Sequence, residues 1–428
     1  MILLGTVLLS LPIASRAGTW TPPVDALFTA TSAVCVTGLV VVDTATHWTP
    51  FGQVVILLLI QAGGFGFMTS STLLLLLLVR GRTRLRDRIL VQESLGAPGL
   101  GAGMSLVRRV GVFTLLAEAL GAAVLTLRFL AGGEAGTAGN AIWWGVFHSI
   151  SAFNNAGFDL TGEFRSLIGF EGDPLLLGVV GGLIVLGGLG YSIVADVAAK
   201  RRWRRLALET KVVLVTTLAL LVGGAVLIGA LEWTNPRTLG SMPEPQRVLN
   251  AAFESTVLRT AGFSALDTGA LLQPTLFLAM ALMFIGGASG STAGGIKVNT
   301  FSVLLVAIVA TVRGRPSAEA FGRRVQHEVI YRALSVALLA IAFVFATGLA
   351  LTLTTDAAFI RVLFEAVSAF ATVGLSTNLT PQLDDPARLI LTAAMFAGRL
   401  GPLTLALALA RQSRPVAYRP AVESMRIG

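Results

Sequence analysis

The sequence predicts an all-α polytopic membrane protein: four helix–pore loop–helix repeats with pseudo-fourfold symmetry around one central pore. Three observations carry that expectation. The 428 residues are 54% hydrophobic and only 13% charged, where a soluble chain would carry about 25% charged residues. Arg and Lys gather in blocks that alternate with apolar runs. Four similar short stretches, each ending on a glycine, recur between those runs.

The apolar runs lie near 1–15, 50–79, 109–130, 174–198, 212–232, 274–312, 330–353 and 387–410. A helix needs roughly 20 apolar residues to cross a bilayer, so these give eight spans. The basic blocks are RGRTRLRDR at 80–88, KRRWRRLALETK at 200–211, Arg313, Arg315, Arg323, Arg324 and Arg332, and a tail with Arg411, Arg414, Arg419 and Arg426. The positive-inside rule puts them in the cytoplasm, with both termini. The segments near 19–50, 131–173, 232–273 and 354–388 carry acids, Pro and Trp, and face outward. The net charge of +9 is thereby accounted for by topology, and nucleic acid is not expected as a partner. The first run is short and precedes ASRAG, as in a signal peptide, but it lacks a basic leader and the repeat needs a helix there. The single Cys35 excludes a disulfide within the chain.

The four stretches read FTATSAVCVTGL (28–39), FHSISAFNNAGF (147–158), AFESTVLRTAGF (252–263) and FEAVSAFATVGL (364–375). Aligned on Gly38, Gly157, Gly262 and Gly374, each starts on an aromatic or small residue ten positions earlier. Each is followed by a glycine cluster in the next apolar run: AGGFGF (62–67), LGGLGY (186–191), IGGASGSTAGG (285–295) and FAGRLGP (396–402). Self-similarity at a fixed period is a fold signature. It divides the chain into repeats 1–90, 91–205, 206–318 and 319–428, with pore loops at 25–40, 140–160, 247–264 and 359–376. Each pore loop is expected to descend as a short helix, near 25–35, 140–154, 247–258 and 359–371, and return extended. Such backbone survives at membrane depth only inside protein or beside water. Inward carbonyls can replace a cation's water shell, and TVG at 372–374 opens the potassium-channel filter motif TVGYG.

With DALFTATSAVCVTGLVVVDT (25–44), QAGGFGFMT (61–69), LRTAGFSALD (258–267), IGGASGSTAGGIKVNTF (285–301) and MFAGRLGPLT (395–404), the chain resembles the Trk/Ktr/HKT superfamily of potassium transporters. It is closest to the Ktr-type potassium-translocating membrane subunit. The resemblance covers essentially the whole chain. It implies a potassium-conducting pore in the bacterial cytoplasmic membrane, a homodimer, and a cytoplasmic nucleotide-binding regulatory ring of the RCK/KTN type as partner. It implies no covalent cofactor; potassium is the substrate, with sodium open as activator or co-ion. Glycine at all four filter positions goes with potassium preference in that family, and a first-loop serine with sodium-selective plant members. Gly38 therefore implies potassium.

The expected potassium-binding filter comprises Val36, Thr37, Gly38 and Leu39; Asn155, Ala156, Gly157 and Phe158; Thr260, Ala261, Gly262 and Phe263; and Thr372, Val373, Gly374 and Leu375. The third glycine cluster, Gly286, Gly287, Ala288, Ser289, Gly290, Ser291, Thr292, Ala293, Gly294 and Gly295, followed by Lys297, should break its helix. It is either a close-packing site or, as the resemblance implies, an intramembrane gating loop. It is no P-loop, because Ile296 stands where GxxxxGK[ST] needs Lys. Arg399 sits mid-span, where burial costs about 2.5–3.5 kcal/mol on insertion scales. It either pairs with a buried acid such as Glu118 or faces the pore as a barrier beside the gating loop. Arg259 is expected to tie the third loop to carbonyls or to Glu254 or Asp267. Asp43, Asp159, Asp267 and Asn378 follow the filter glycines and either focus cations or are ordinary loop residues. Asp25 reads as a helix N-cap and dipole partner, and Trp20, Trp48, Trp143, Trp144 and Trp233 as interface anchors. No catalytic constellation is present, so no enzyme is expected. An alternating-access symporter is the alternative, but it would show two inverted repeats rather than four like-oriented ones.

Overall fold

The computed structural model describes residues 1–80 and 101–401, with side chains placed for 1–69 and 107–401. The basic stretch from Gly81 to Arg88 and the tail with Arg411, Arg414, Arg419 and Arg426 lie outside the described residues. Among the described residues the protein is helical, apart from one hairpin that pairs Glu319–Ala320 with Arg323–Arg324. Its turn residues Phe321 and Gly322 both have left-handed φ, as a two-residue hairpin loop requires.

Among the described residues, five helices are long and apolar enough to cross a membrane: Pro50–Thr69, Val107–Gly132, Pro174–Lys200, Leu208–Glu232 and His327–Thr352. Eight spans were expected, and the other three differ for separate reasons. The first run forms only α1 (Ile2–Ser10). The run at 274–312 is two shorter helices, Gln273–Phe284 and Val298–Val312, parted by the glycine-rich segment. Of the last run only the part up to Gly401 is described, as the helix Asp385–Leu400 followed by Gly401 at positive φ, and 402–410 lie outside the described residues.

Four short helices lie between the long ones: α2 (Pro23–Val34), Ala138–Phe153, Glu244–Val257 and Phe359–Ala371. They fall within a few residues of the expected descending helices. Proline begins α2, and Thr137 caps the second through its side chain, which accepts from the Asn140 N–H. Asp25 is not an N-cap: α2 starts after Pro22, and the Asp25 carboxylate, in the first turn, pairs with Arg388 at 2.6 Å. These helices form the protein's interior. Phe28, Phe147, Phe253 and Phe364 all lie on them and are buried. Trp48 is also fully buried, beneath α1 and α2, so it is core rather than an interface anchor. Trp20 is exposed, as an anchor would be.

Candidate functional site: four loop ends above a glycine-rich segment

Each short helix ends in a turn with one residue in the left-handed region: Val36, Asn155, Thr260 and Thr372, at φ between 51° and 67°. Each lies two positions before a glycine that is itself left-handed, Gly38, Gly157, Gly262 or Gly374. Side chains strain in that region, which glycine enters freely. Space makes the same demand. A Cβ on Gly38 would overlap the carbonyl oxygen of Ala156. One on Gly157 would lie 2.6 Å from Cα of Gly262, and one on Gly262 would lie 2.6 Å from the carbonyl oxygen of Val373. One on Gly374 would overlap the carbonyl oxygen of Thr37. Each glycine meets the next loop and the fourth meets the first, so the contacts close into a circuit.

The third loop corrects the alignment of the four stretches. In loops one, two and four, a backbone N–H bonds the carbonyl five residues back: Thr37 to Ser32, Ala156 to Ser151, and Val373 to Ser368. In the third, Ala261 N–H bonds Val257, four back. The third turn is one residue shorter, so Phe253 rather than Ala252 matches Phe28, Phe147 and Phe364. The next residues are then Thr29, His148, Glu254 and Glu365, and three of them hold the strand that leaves the glycine. Glu365 accepts from Ser376 Oγ at 2.8 Å, Thr377 N at 2.8 Å and Thr380 Oγ1 at 2.6 Å. Glu254 accepts from Ala265 N at 3.1 Å, and His148 Nε2 from Leu160 N at 3.4 Å. Sequence reasoning missed these braces; the Phe-Glu pairs at 253–254 and 364–365 are the signal for them.

Beneath the loops lies the segment 285–297. It is irregular, held at its ends by Gly286 N–H on the Ile296 carbonyl and Val298 N–H on Gly287. A Cβ on Gly286 would stand 3.3 Å from Thr260, and one on Gly294 would overlap the Thr372 hydroxyl. The segment therefore packs directly under the third and fourth turns. Arg259 donates to the Gly286 carbonyl at 2.8 Å. It ties the third loop to this segment rather than to Glu254 or Asp267.

Arg399 is buried and donates to the Thr292 carbonyl at 2.5 Å and the Gly63 carbonyl at 3.1 Å. Among the described residues no carboxylate pairs with it. Glu118 instead accepts from Gln61 at 3.1 Å and Asn154 at 2.9 Å. Lys297 donates to the Ala293 carbonyl. Its ammonium and the Arg399 guanidinium lie 4.9 and 4.5 Å from the centre of the Phe67 ring. Two cations thus hold the segment by its own carbonyls.

Above the glycines is an open cavity of about 90 Å³ lined by all four, with Asp159, Asp267 and Asn378 on its wall. Asp43 is not on that wall. It caps a short helix by accepting from Thr46 N, and it accepts from Phe164 N at 2.8 Å. Asp159 lies outside the membrane-spanning segments. Burial pushes its carboxyl up to about 6, although hydrogen bonds from Thr161 pull the other way.

Residues 5–415 match the family described as TrkH, cation transport protein. The chain is 40% identical over 413 residues to the Ktr system potassium uptake protein B of Bacillus subtilis, covering 96% of this chain and 90% of that protein. It is 41% identical to the protein of the same name from Vibrio alginolyticus, covering 96% and 89%. It is 37% identical to the potassium/sodium uptake protein NtpJ of Enterococcus hirae, covering 100% and 95%. In fold it matches the potassium transporter TrkH of Vibrio parahaemolyticus, with TM-score 0.73 and 19% identity, over 96% of this chain and 83% of that one.

Proposed function

The chain belongs to the TrkH family of cation transport proteins, and from that premise we propose that it takes up potassium across the bacterial cytoplasmic membrane through a channel-like pore. The observation that carries this reading is the closed circuit of the four glycines. Four loop ends that touch in sequence around a common centre would, on this reading, offer their backbone carbonyls to one point, as a dehydrated cation requires. On this reading the filter is 36–39, 155–158, 260–263 and 372–375, and the repeats are arranged with pseudo-fourfold symmetry. A membrane potential supplies about 2.3 kcal/mol per charge per 100 mV, enough to drive accumulation.

The segment Gly286–Gly295 with Lys297 and Arg399 is the gate below that filter. The support is its place: it crosses beneath two filter turns and is tied by carbonyl bonds that can open without leaving a carboxylate unpaired. Control would come from a cytoplasmic nucleotide-binding ring of the RCK/KTN type, on a homodimer with cytoplasmic termini. The similarity to subunits of Ktr systems supports such a partner. Sodium would act as activator or co-ion, in keeping with the potassium/sodium relative.

Rubidium uptake by a potassium-uptake-deficient bacterium expressing the chain tests this. Wild type should restore uptake, and Gly38→Ser should admit sodium. No restoration with or without a regulatory subunit would remove the potassium assignment.

A further inference from the structure

Thr292 is fully buried in the middle of the glycine-rich segment, and each of its polar groups goes to a different neighbour. Its N–H donates to the Gly187 carbonyl at 3.2 Å. Its carbonyl accepts from Arg399 at 2.5 Å. Its hydroxyl oxygen lies 2.8 Å from the Asn155 side-chain amide and 3.2 Å from the Phe153 carbonyl. A hydroxyl has one proton to donate but can also accept. The Asn155 Nδ2 has no partner among the described residues. With the amide turned so that Nδ2 donates to Thr292 Oγ1, the hydroxyl is free to donate to the Phe153 carbonyl, and the amide oxygen takes the unpartnered position.

Asn155 is the left-handed residue of the second turn. The matching residues are Val36, Thr260 and Thr372. Valine has no polar group, and the two threonine hydroxyls make no hydrogen bond among the described residues. The second turn is thus the one wired to the segment through a side chain at this position. Its neighbour Asn154 is held from behind by Glu118 and Gln61. One side of the turn is therefore fixed and the other rests on a segment that the gate reading requires to move.

We propose that the Thr292–Asn155 hydrogen bond couples the gate to the filter, with Thr292 as a positioning residue, so that displacing the segment relaxes cation discrimination. This rests on the filter-and-gate reading above. When the segment leaves, a buried amide loses its partner, and an unpaired buried polar group is costly enough to re-aim a left-handed turn. Linkage makes the effect reciprocal: a cation that favours the ordered filter also favours the closed segment.

The test is rubidium uptake, and its inhibition by sodium, in potassium-uptake-deficient cells expressing the full chain with Thr292→Val or Thr292→Ser. Thr292→Val should shift the rubidium-over-sodium preference by about three- to tenfold, as loss of one buried hydrogen bond predicts. Thr292→Ser, which keeps the hydroxyl, should stay near wild type. Membrane amounts are read in parallel. If Thr292→Val does not accumulate, Thr292→Ala removes the hydroxyl without added bulk and is judged by the same shift. A changed flux with unchanged preference would overturn the coupling, as would Thr292→Ser behaving like Thr292→Val. A wild type that takes up no rubidium would instead defeat the underlying potassium reading.

Discussion

Two single side chains carry testable charge effects. Asp159 stands on the wall of the outer cavity with a carboxyl pushed up to about 6 by burial. A raised carboxyl is charged above that value and neutral below it. Asp159 therefore adds its negative charge to the cavity at pH 7.5 and withdraws it as pH falls through about 6. Rubidium uptake at low external rubidium should fall over that window, because focused potential raises the local cation concentration. Asp159→Asn should flatten that step; an unchanged step would assign it to another group. Arg399 lies against the glycine-rich segment beneath the loops. Its guanidinium holds the Thr292 and Gly63 carbonyls, with no acid to neutralise it among the described residues. Arg399→Ala removes a tie on the segment and, on the proposed reading, a barrier to cations. Uptake without a regulatory subunit should rise by about tenfold, the scale of losing a charged hydrogen bond. Unchanged uptake would count against the barrier role.

At the scale of the element, the glycine clusters divide into two kinds. In three of them a glycine lets a long helix touch the backbone end of a short one. A Cβ on Gly63 would overlap the Val34 carbonyl, one on Gly187 that of Phe153, and one on Gly398 that of Phe370. A Cβ on Gly66, on the same helix as Gly63, would meet nothing within 4 Å among the described residues. Gly63→Ala should therefore destabilise the detergent-solubilised protein by about 1–3 kcal/mol, the range for overpacking. Gly66→Ala should stay within about 1 kcal/mol of wild type. Equal thermal shifts for the two would refute the packing role. The third cluster breaks its helix outright, as its length and polarity predict. The short helices, their glycines and this break were legible because each has a local chemical signature. The register of the third loop was not, since an alignment on the glycine hides a turn one residue shorter, which shows in the offset of Phe253-Glu254 and in which carbonyl Ala261 bonds. The partners of Arg399, Arg259 and Glu118 were illegible for a related reason. Each lies far away in sequence, and a charge inside a membrane announces its need for a partner without naming one.

At the scale of the whole molecule, the circuit of four loops has one seam unlike the rest. The first, second and third contacts join loops that follow one another along the chain. The fourth, Gly374 against Thr37, joins the end of the chain to its beginning and must be made by packing alone. The helix Asp385–Leu400 packs on α2 there. The Asp25–Arg388 pair bridges them at 2.6 Å, with side chains only 11% and 19% exposed. An ion pair so placed leaves a costly buried charge when one partner is removed. Arg388→Met and Asp25→Asn should each lower stability, by about 1.5–3 kcal/mol on the scale of a charged hydrogen bond. The double variant should cost less than the sum, because both single changes break the same contact, while Arg388 keeps Asp385 at 3.5 Å when Asp25 is changed. Cation discrimination should weaken in both single variants, since an open seam widens the circuit at Gly38. Additive costs, or full discrimination in a clearly destabilised Arg388→Met, would mean that the seam closes without the pair.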